Sequence, residues 1–483
     1  MKIQVKNTVP TKLMLLLAGI AVLMVAGCAA VGPDYVPKDP VAPEGWQAEL
    51  TEGLAAGQTD PKALARWWTV LNDPVLDGLI ERAALGNLDL KQAAGRVREA
   101  RARRNISQAD LFPSLDATGS AAKSRGSEDR GSGQEAELYQ LGLDAAWELD
   151  IFGGVRRTVE ADTADIQASE EDLNDVLVSL LSEVALNYID LCSFQARLAV
   201  AAENLVTQQE TYDLTQFRFQ AGLATELSVM QARYNLESTR SQIPTLRTGL
   251  HASLNRLAVL LGQPPGTLDE KLQEIRPIPV TPPSIVVGVP AETLRRRPDV
   301  RRAERQLAAQ TARIGVATAD LYPQFKLSGS IGLEALSVDN LFQAGSRTYG
   351  LGASFLSPIF HAGAIRANIK VQSALQEQAL VNYEATVLAA LEEVENALNA
   401  YAKEQQRRRA LFASADAARQ ASVLADIQYR AGLIDFGDVL DAQRSLLSFQ
   451  DQLVQSEGTV TANLVRLYKT LGGGWTAQVS QTP

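Results

Sequence analysis

The sequence predicts a mainly α-helical chain that carries a pair of transmembrane β hairpins and is built from two copies of a unit about 210 residues long. Three observations predict it. Residues 155–221 and 364–431 contain no Gly or Pro, the two residues that punctuate helices. A heptad-like seam runs through each stretch, and the second seam follows the first by 210 positions. Past a Phe-Pro or Tyr-Pro corner in each copy, the apolar period changes from about 3.5 to 2, as in a strand with two unlike faces.

The chain opens with Lys2, Lys6 and Lys12, an apolar run from Leu13 to Ala26, then Gly27 and Cys28, with no acidic residue before Asp34. That order is the layout of a bacterial export signal, assigned to residues 1–27. A spanning helix needs about 20 apolar residues, and this run has fourteen. Its end, Val25-Ala26-Gly27-Cys28, looks like a lipobox, which makes Cys28 the lipidated first residue. Acyl chains contribute about 0.8 kcal/mol per buried CH2 and hold a chain at a membrane without a crossing helix. Ala29, non-acidic, fits sorting to the outer membrane. Residues 28–64 then form an N-terminal segment, expected to run extended along the surface through Gly32-Pro33-Asp34-Tyr35 to Pro43.

Each stretch without Gly or Pro would reach about 100 Å as one helix at 1.5 Å per residue, against about 11–12 residues for an average globular helix. The seams are Leu177, Leu181, Val184, Tyr188 and Leu191 in the first, and Val387, Leu391, Val394, Leu398 and Tyr401 in the second. Spacings of four and three belong to supercoiled helices. Other anchors share the offset of 210: Ala109 to Pro113 with Ala319 to Pro323, Tyr139 and Leu141 with Tyr349 and Leu351, Ala221-Gly222-Leu223 with Ala431-Gly432-Leu433, and Leu261-Gly262 with Leu471-Gly472. The chain is a tandem duplication, with repeat one over residues 65–275 and repeat two over 276–483. A connector rich in proline, Pro264 to Pro290, joins them as a linker or an irregular packed belt.

In repeat one, Leu115, Ala117, Gly119 and Ala121 alternate with polar residues, and so do Tyr139, Leu141, Leu143, Ala145 and Trp147. In repeat two, Phe325 to Leu333 and Tyr349 to Phe355 follow the same rule. Strands of about 9–11 residues span a bilayer when tilted. Open sheet edges cannot lie in lipid, so only a closed barrel can cross. Four strands are too few for one, since the smallest transmembrane barrels have about eight. Several copies of the chain must therefore contribute. The lumen would be lined by the polar set, including Asp116, Asp144 and Lys326, with loops 123–134 and 335–348 facing outside.

Loss of the signal leaves 43 basic against 56 acidic residues, a net of −13, which argues against nucleic acid as a partner. The two histidines, His251 and His361, cannot supply a His-rich metal site, and no phosphate loop or serine elbow appears. No enzyme activity and no cofactor are expected beyond the lipid on Cys28. Cys192 is then the one remaining thiol, which rules out an intramolecular disulfide and reads as a small buried apolar residue.

The residues assembled so far resemble the TolC family of outer-membrane efflux proteins, and more closely its lipoprotein branch, the OprM-like or NodT-type subunits of tripartite RND pumps. The motifs are Cys28 with Gly32-Pro33-Asp34-Tyr35, Ala109 to Pro113, Trp147 to Gly153, Tyr429-Arg430-Ala431-Gly432-Leu433, Asp438 to Arg444, and Leu471 to Trp475. The resemblance implies a homotrimer, with a twelve-strand outer-membrane barrel continuous with a twelve-helix periplasmic tunnel. It implies two protein partners, an inner-membrane RND pump and a periplasmic adaptor meeting the helical tips at Gly222, Leu223, Gly432 and Leu433. A type I secretion duct or a metal-ion exporter would share this architecture. From a different class, a lipid-anchored coiled-coil scaffold without a pore also fits the helices alone.

At the second tip, Asp438 and Asp441 stand three apart and share a helix face. The offset pairs them with Ser228 and Gln231, so the two carboxylates are not common to both repeats. The resemblance makes Asp438, Asp441 and Arg444 gate residues and Tyr429 part of a tip hydrogen-bond network. Ile434 stands where TolC itself carries a tip arginine, so that latch is not expected here.

Overall fold

The computed structural model describes residues 30–38, 40–129 and 133–476. The export signal and Cys28 lie outside the described residues. The elements in chain order are β1 (Leu54–Ala56), α1 (Pro61–Ala65), α2 (Pro74–Gly86), α3 (Leu88–Ala109), β2 (Ser114–Arg125), β3 (Glu135–Leu149), α4 (Gly154–Gln220) and α5 (Glu226–Leu260). They continue with β4 (Ile285–Val287), α6 (Pro290–Arg296), α7 (Pro298–Ala319), β5 (Gln324–Ala335), α8 (Val338–Leu341), β6 (Arg347–Leu356), α9 (Ala364–Arg430) and α10 (Phe436–Thr470). The bounds of α3, β2, α4 and α5 recur 210 residues later as those of α7, β5, α9 and α10. The expected long helices are therefore present within one residue of their expected ends. Of the helices, α4 is long and apolar enough to cross a membrane by composition, but most of its apolar window is buried inside the protein.

Two compact units form. The first comprises the described residues up to 38 with 96–170 and 302–383. Its centre is an antiparallel sheet in the order β2-β3-β5-β6. The register brings odd-numbered residues to one face: Leu115 and Ala117 lie opposite Ala145 and Leu143, Leu141 opposite Leu333, Trp147 opposite Leu327, and Ile331 opposite Tyr349. This face is apolar and exposed, Leu351 to 92% and Tyr349 to 87%. The even-numbered face is polar and bonded across strands. Thr118 donates to Asp144 at 2.7 Å, Gln140 to Glu334 at 3.0 Å, and Lys326 pairs with Glu148 at 3.4 Å.

β2 and β3 run further than the expected strands, to Arg125 and from Glu135. There Lys123 reaches Glu135 at 3.0 Å and Glu137 at 3.3 Å, so charge replaces the apolar alternation that marks the rest. Between β5 and β6 the expected loop holds α8 and a 3-10 turn, Ala344–Ser346.

Residues 30–34, the first described, are tied to this unit by α4. Arg157, with its side chain 4% exposed, donates to the carbonyl oxygens of Val31 at 3.0 Å, Gly32 at 3.3 Å and Ala30 at 3.4 Å, and to Asp34 at 2.7 Å. Val31 N–H donates to Phe152 O at 3.0 Å. Tyr35 donates to Glu304 at 2.9 Å and lies under the Arg305 guanidinium.

The second unit comprises the described residues of 40–95, 171–301 and 384–476. Both seams enter one core: Leu181, Val184, Tyr188 and Leu191 pack with Val394, Leu398 and Tyr401 against Leu257, Leu464 and Trp67. Leu177 and Leu391 are only half-buried. Cys192 is fully buried here, and burial pushes its thiol up to about 12. The connector is a packed belt. Its β4 pairs in parallel with β1, Thr461 donates to Pro279 O at 2.9 Å, and Gln195 donates to Leu272 O at 2.9 Å. Beyond the expected extended run to Pro43 the chain turns inward. Trp46, Leu54, Leu64, Trp67 and Leu71 join the core, and burying that apolar area outweighs extended solvation.

Candidate functional site

The second unit holds both helical turns. Each ends its long helix on a glycine with positive φ, Gly222 at 73° and Gly432 at 74°, a backbone state that costs other residues energy. Leu433 N–H donates to Gln428 O and Gly432 N–H to Tyr429 O, both at 2.9 Å. Leu223 and Gly222 make the same two bonds to Arg218 O at 2.7 Å and Phe219 O at 2.9 Å. This double bond pattern satisfies the last carbonyls of each helix. The leucine behind each glycine is left outside, 73% exposed at 223 and 74% at 433.

The chain re-enters a helix four residues later. Asp438 sits at the third position of α10 and its carboxylate accepts the Asp435 N–H at 3.2 Å, half of a capping box. In the first turn Ser228 holds the equivalent place, donating its N–H to the Thr225 hydroxyl at 3.2 Å. The position thus belongs to the scaffold of both repeats, and only the charge is particular to the second. No basic side chain pairs with Asp438 among the described residues.

Asp441 pairs with Arg444 one turn along α10. The Arg444 guanidinium also lies 5.8 Å from the centre of the Tyr234 ring on α5, so it reaches the neighbouring helix through the ring face. Tyr429, expected in a tip hydrogen-bond network, makes ring contacts within this chain. It lies 5.3 Å from Phe436, under Arg218 at 4.9 Å, beside Ala232 and Leu440. Its hydroxyl makes no hydrogen bond among the described residues.

Sequence reasoning missed a polar seam behind the turn. Gln443 donates to Thr211 at 3.0 Å, Asn204 to Gln450 at 2.9 Å, and Arg197 grips Asp451 with two bonds of 2.7 and 3.0 Å. The signal was available in the offset. The equivalents of Thr211, Asn204 and Arg197 are Ala421, Ser414 and Arg407, and those of Gln443, Gln450 and Asp451 are Arg233, Arg240 and Ser241; there Arg407 pairs instead with Glu404 and Arg240 with Glu237. Among the described residues no group of His, Cys, Asp or Glu could hold a metal ion. What the turn offers is an exposed, acidic helix start.

A family profile described as outer membrane efflux protein matches residues 79–263 and 289–473, two segments themselves 210 residues apart. The chain is 34% identical over 463 residues to the pyoverdine export outer membrane protein OpmQ of Pseudomonas aeruginosa, covering 94% of this chain and 96% of that protein. It is 30% identical over 463 residues to the probable outer membrane lipoprotein SilC of Salmonella typhimurium, covering 95% and 98%. The solved outer-membrane channel OprN aligns with a TM-score of 0.86 at 37% identity, covering 92% of this chain and 100% of that one.

Proposed function

The chain belongs to the outer membrane efflux protein family, and from that membership we propose that it is the outer-membrane channel subunit of a tripartite RND-type pump, a passive duct for small toxic compounds. Three copies would close one duct. Each gives four strands to a twelve-strand barrel and α4, α5, α9 and α10 to a twelve-helix tunnel. A periplasmic adaptor meets the exposed Leu223 and Leu433 beside Gly222 and Gly432, and the inner-membrane pump delivers the substrate. Acyl chains on Cys28 add a second hold on the outer membrane.

The observation that carries this reading is the four-stranded sheet. One face is apolar and exposed, the other is polar and cross-bonded, and β2 and β6 each leave one edge open. A soluble scaffold has no use for such a face, whereas a barrel wall between lipid and water requires both. Along β3, Tyr139 and Trp147 on the apolar face stand eight residues apart, about 27 Å at 3.4 Å per residue. Tilted by about 35–45°, that projects to about 19–22 Å, close to but shorter than the apolar band of about 25 Å. The test is conductance of the purified protein in planar bilayers: discrete, stable ion-conducting steps are expected, and a protein that inserts yet never conducts would overturn the duct.

A further inference from the structure

Arg157 is a buried guanidinium that contacts the segment Ala30 to Asp34 rather than the sheet or the seam. Its fork donates to three successive carbonyls, of Ala30, Val31 and Gly32, and to the Asp34 carboxylate, while its remaining arm reaches Glu160 at 2.7 Å. A rigid planar fork suits this reading of backbone in a way a point charge does not. The walls of the groove are glycine. A Cβ on Gly153 would stand 2.6 Å from Ala30 Cα, and one on Gly32 would stand 2.4 Å from Gly315 Cα. A Cβ on Gly315 would press on the Arg157 side chain at 2.8 Å.

The duplication supplies a control. The second copy of this corner has Gly363 for Gly153, with open space where Ala30 would lie, and Ala367 for Arg157. Glu304 and Arg305, which hold Tyr35, answer to Ala94 and Gly95 in repeat one. Gly315 answers to Asn105. A chain has one N-terminus for two repeats, and the residues that hold it are those that break the repeat.

We propose that Arg157, with Gly153 and Gly315, forms a docking groove for the chain's own N-terminal segment, Ala30 to Asp34, and so fixes where the Cys28 lipid leaves the protein. The docked segment lies at the junction of β3 and α4, where Phe152 takes the Val31 N–H. Only Ala29 separates Ala30 from Cys28, two residue steps with a reach of about 7 Å at most. The lipid is then a fixed foot of the duct and not a loose tether. The docking stands on the contacts above, and only its consequence for the lipid rests on the lipid anchor of the proposed function.

The experiment is hydrogen exchange of the full-length processed protein, read in the peptide over residues 30–36 and in β3. In Arg157→Met the Val31 amide should exchange about 100-fold faster, with the amides of residues 139–147 still protected. Gly315→Ala, which leaves Arg157 in place but crowds it, should free the same segment. Cys28→Ser, exported with a signal cut by the ordinary signal peptidase so that it is processed without lipid, should leave the segment docked. Protection of residues 30–36 that survives Arg157→Met overturns the groove. So does its loss together with that of the sheet, since Arg157 would then be a packing residue of the whole unit, and so does its loss in Cys28→Ser, since lipid would then do the holding. The mass of the N-terminal peptide reports acylation separately, and an unmodified Cys28 would refute the lipid reading while leaving the groove to stand on exchange alone.

Discussion

Charge and capping separate at Asp438. Its carboxylate accepts a backbone N–H at the start of α10, a role worth about 0.3–1 kcal/mol when the dipole is included. Asn retains an oxygen for that bond and loses the charge. Asp441, exposed and tied only along its own helix to Arg444, can lose its charge with equally little structural cost. If three such turns surround one axis, six carboxylates define the entrance potential and favour cations. The double variant Asp438→Asn with Asp441→Asn should therefore lower the cation-to-anion permeability ratio severalfold, read from the reversal potential in a salt gradient. Thermal stability should stay the same. An unchanged ratio would remove these residues from the entrance.

Helix α10 approaches α4 closely enough that only glycine fits between them. A Cβ added at Gly458 would meet the Ser193 hydroxyl at 2.1 Å, and that hydroxyl is itself held, donating to Ile189 O at 2.8 Å. Alanine is the better helix former by about 1 kcal/mol, yet overpacking costs about 1–3 kcal/mol. Gly458→Ala should lower the melting temperature in detergent, and adding Ser193→Ala should restore it or raise it above the parent. A single variant as stable as the parent would mean that the helices can part here at no cost. The same element shows how much the sequence disclosed. Pro244 lies inside α5, which a rule on proline alone would break. Its repeat partner in α10 is Val454, and the shared bounds of the two helices override the proline. The long helices, corners and strand faces were legible because each obeys a period or an offset. Three features were not: the β1–β4 ladder, which joins residues more than 200 apart without a pattern; the ring packing of Tyr429; and the Arg157 fork, since a lone arginine in a helix has no periodic mark. The last was recoverable only by asking which residues differ from their partners 210 positions away.

At the scale of the whole molecule the open edges decide the assembly. Strands β2, β3, β5 and β6 alternate in direction along the sheet. With four strands per chain, β6 of one copy runs antiparallel to β2 of the next whatever the number of copies, so the ring closes without a parallel pair. An unclosed edge would leave a row of N–H and C=O groups facing lipid, each costing several kcal/mol, so a single chain cannot rest in the membrane as it stands. Closure is therefore all or none. Three copies give the twelve strands proposed for the barrel, while two or four would give eight or sixteen, both workable sizes. The count can be read from covalent ladders. With Ala117→Cys in β2 combined in turn with Tyr349→Cys, Leu351→Cys and Ala353→Cys in β6, oxidation in intact membranes should join neighbouring copies in at least one pairing. The denatured ladder should end at three chains. A ladder ending at two or four would keep the barrel and change its size. Failure of every pairing would mean that β2 and β6 are covered by something other than a second copy of this chain.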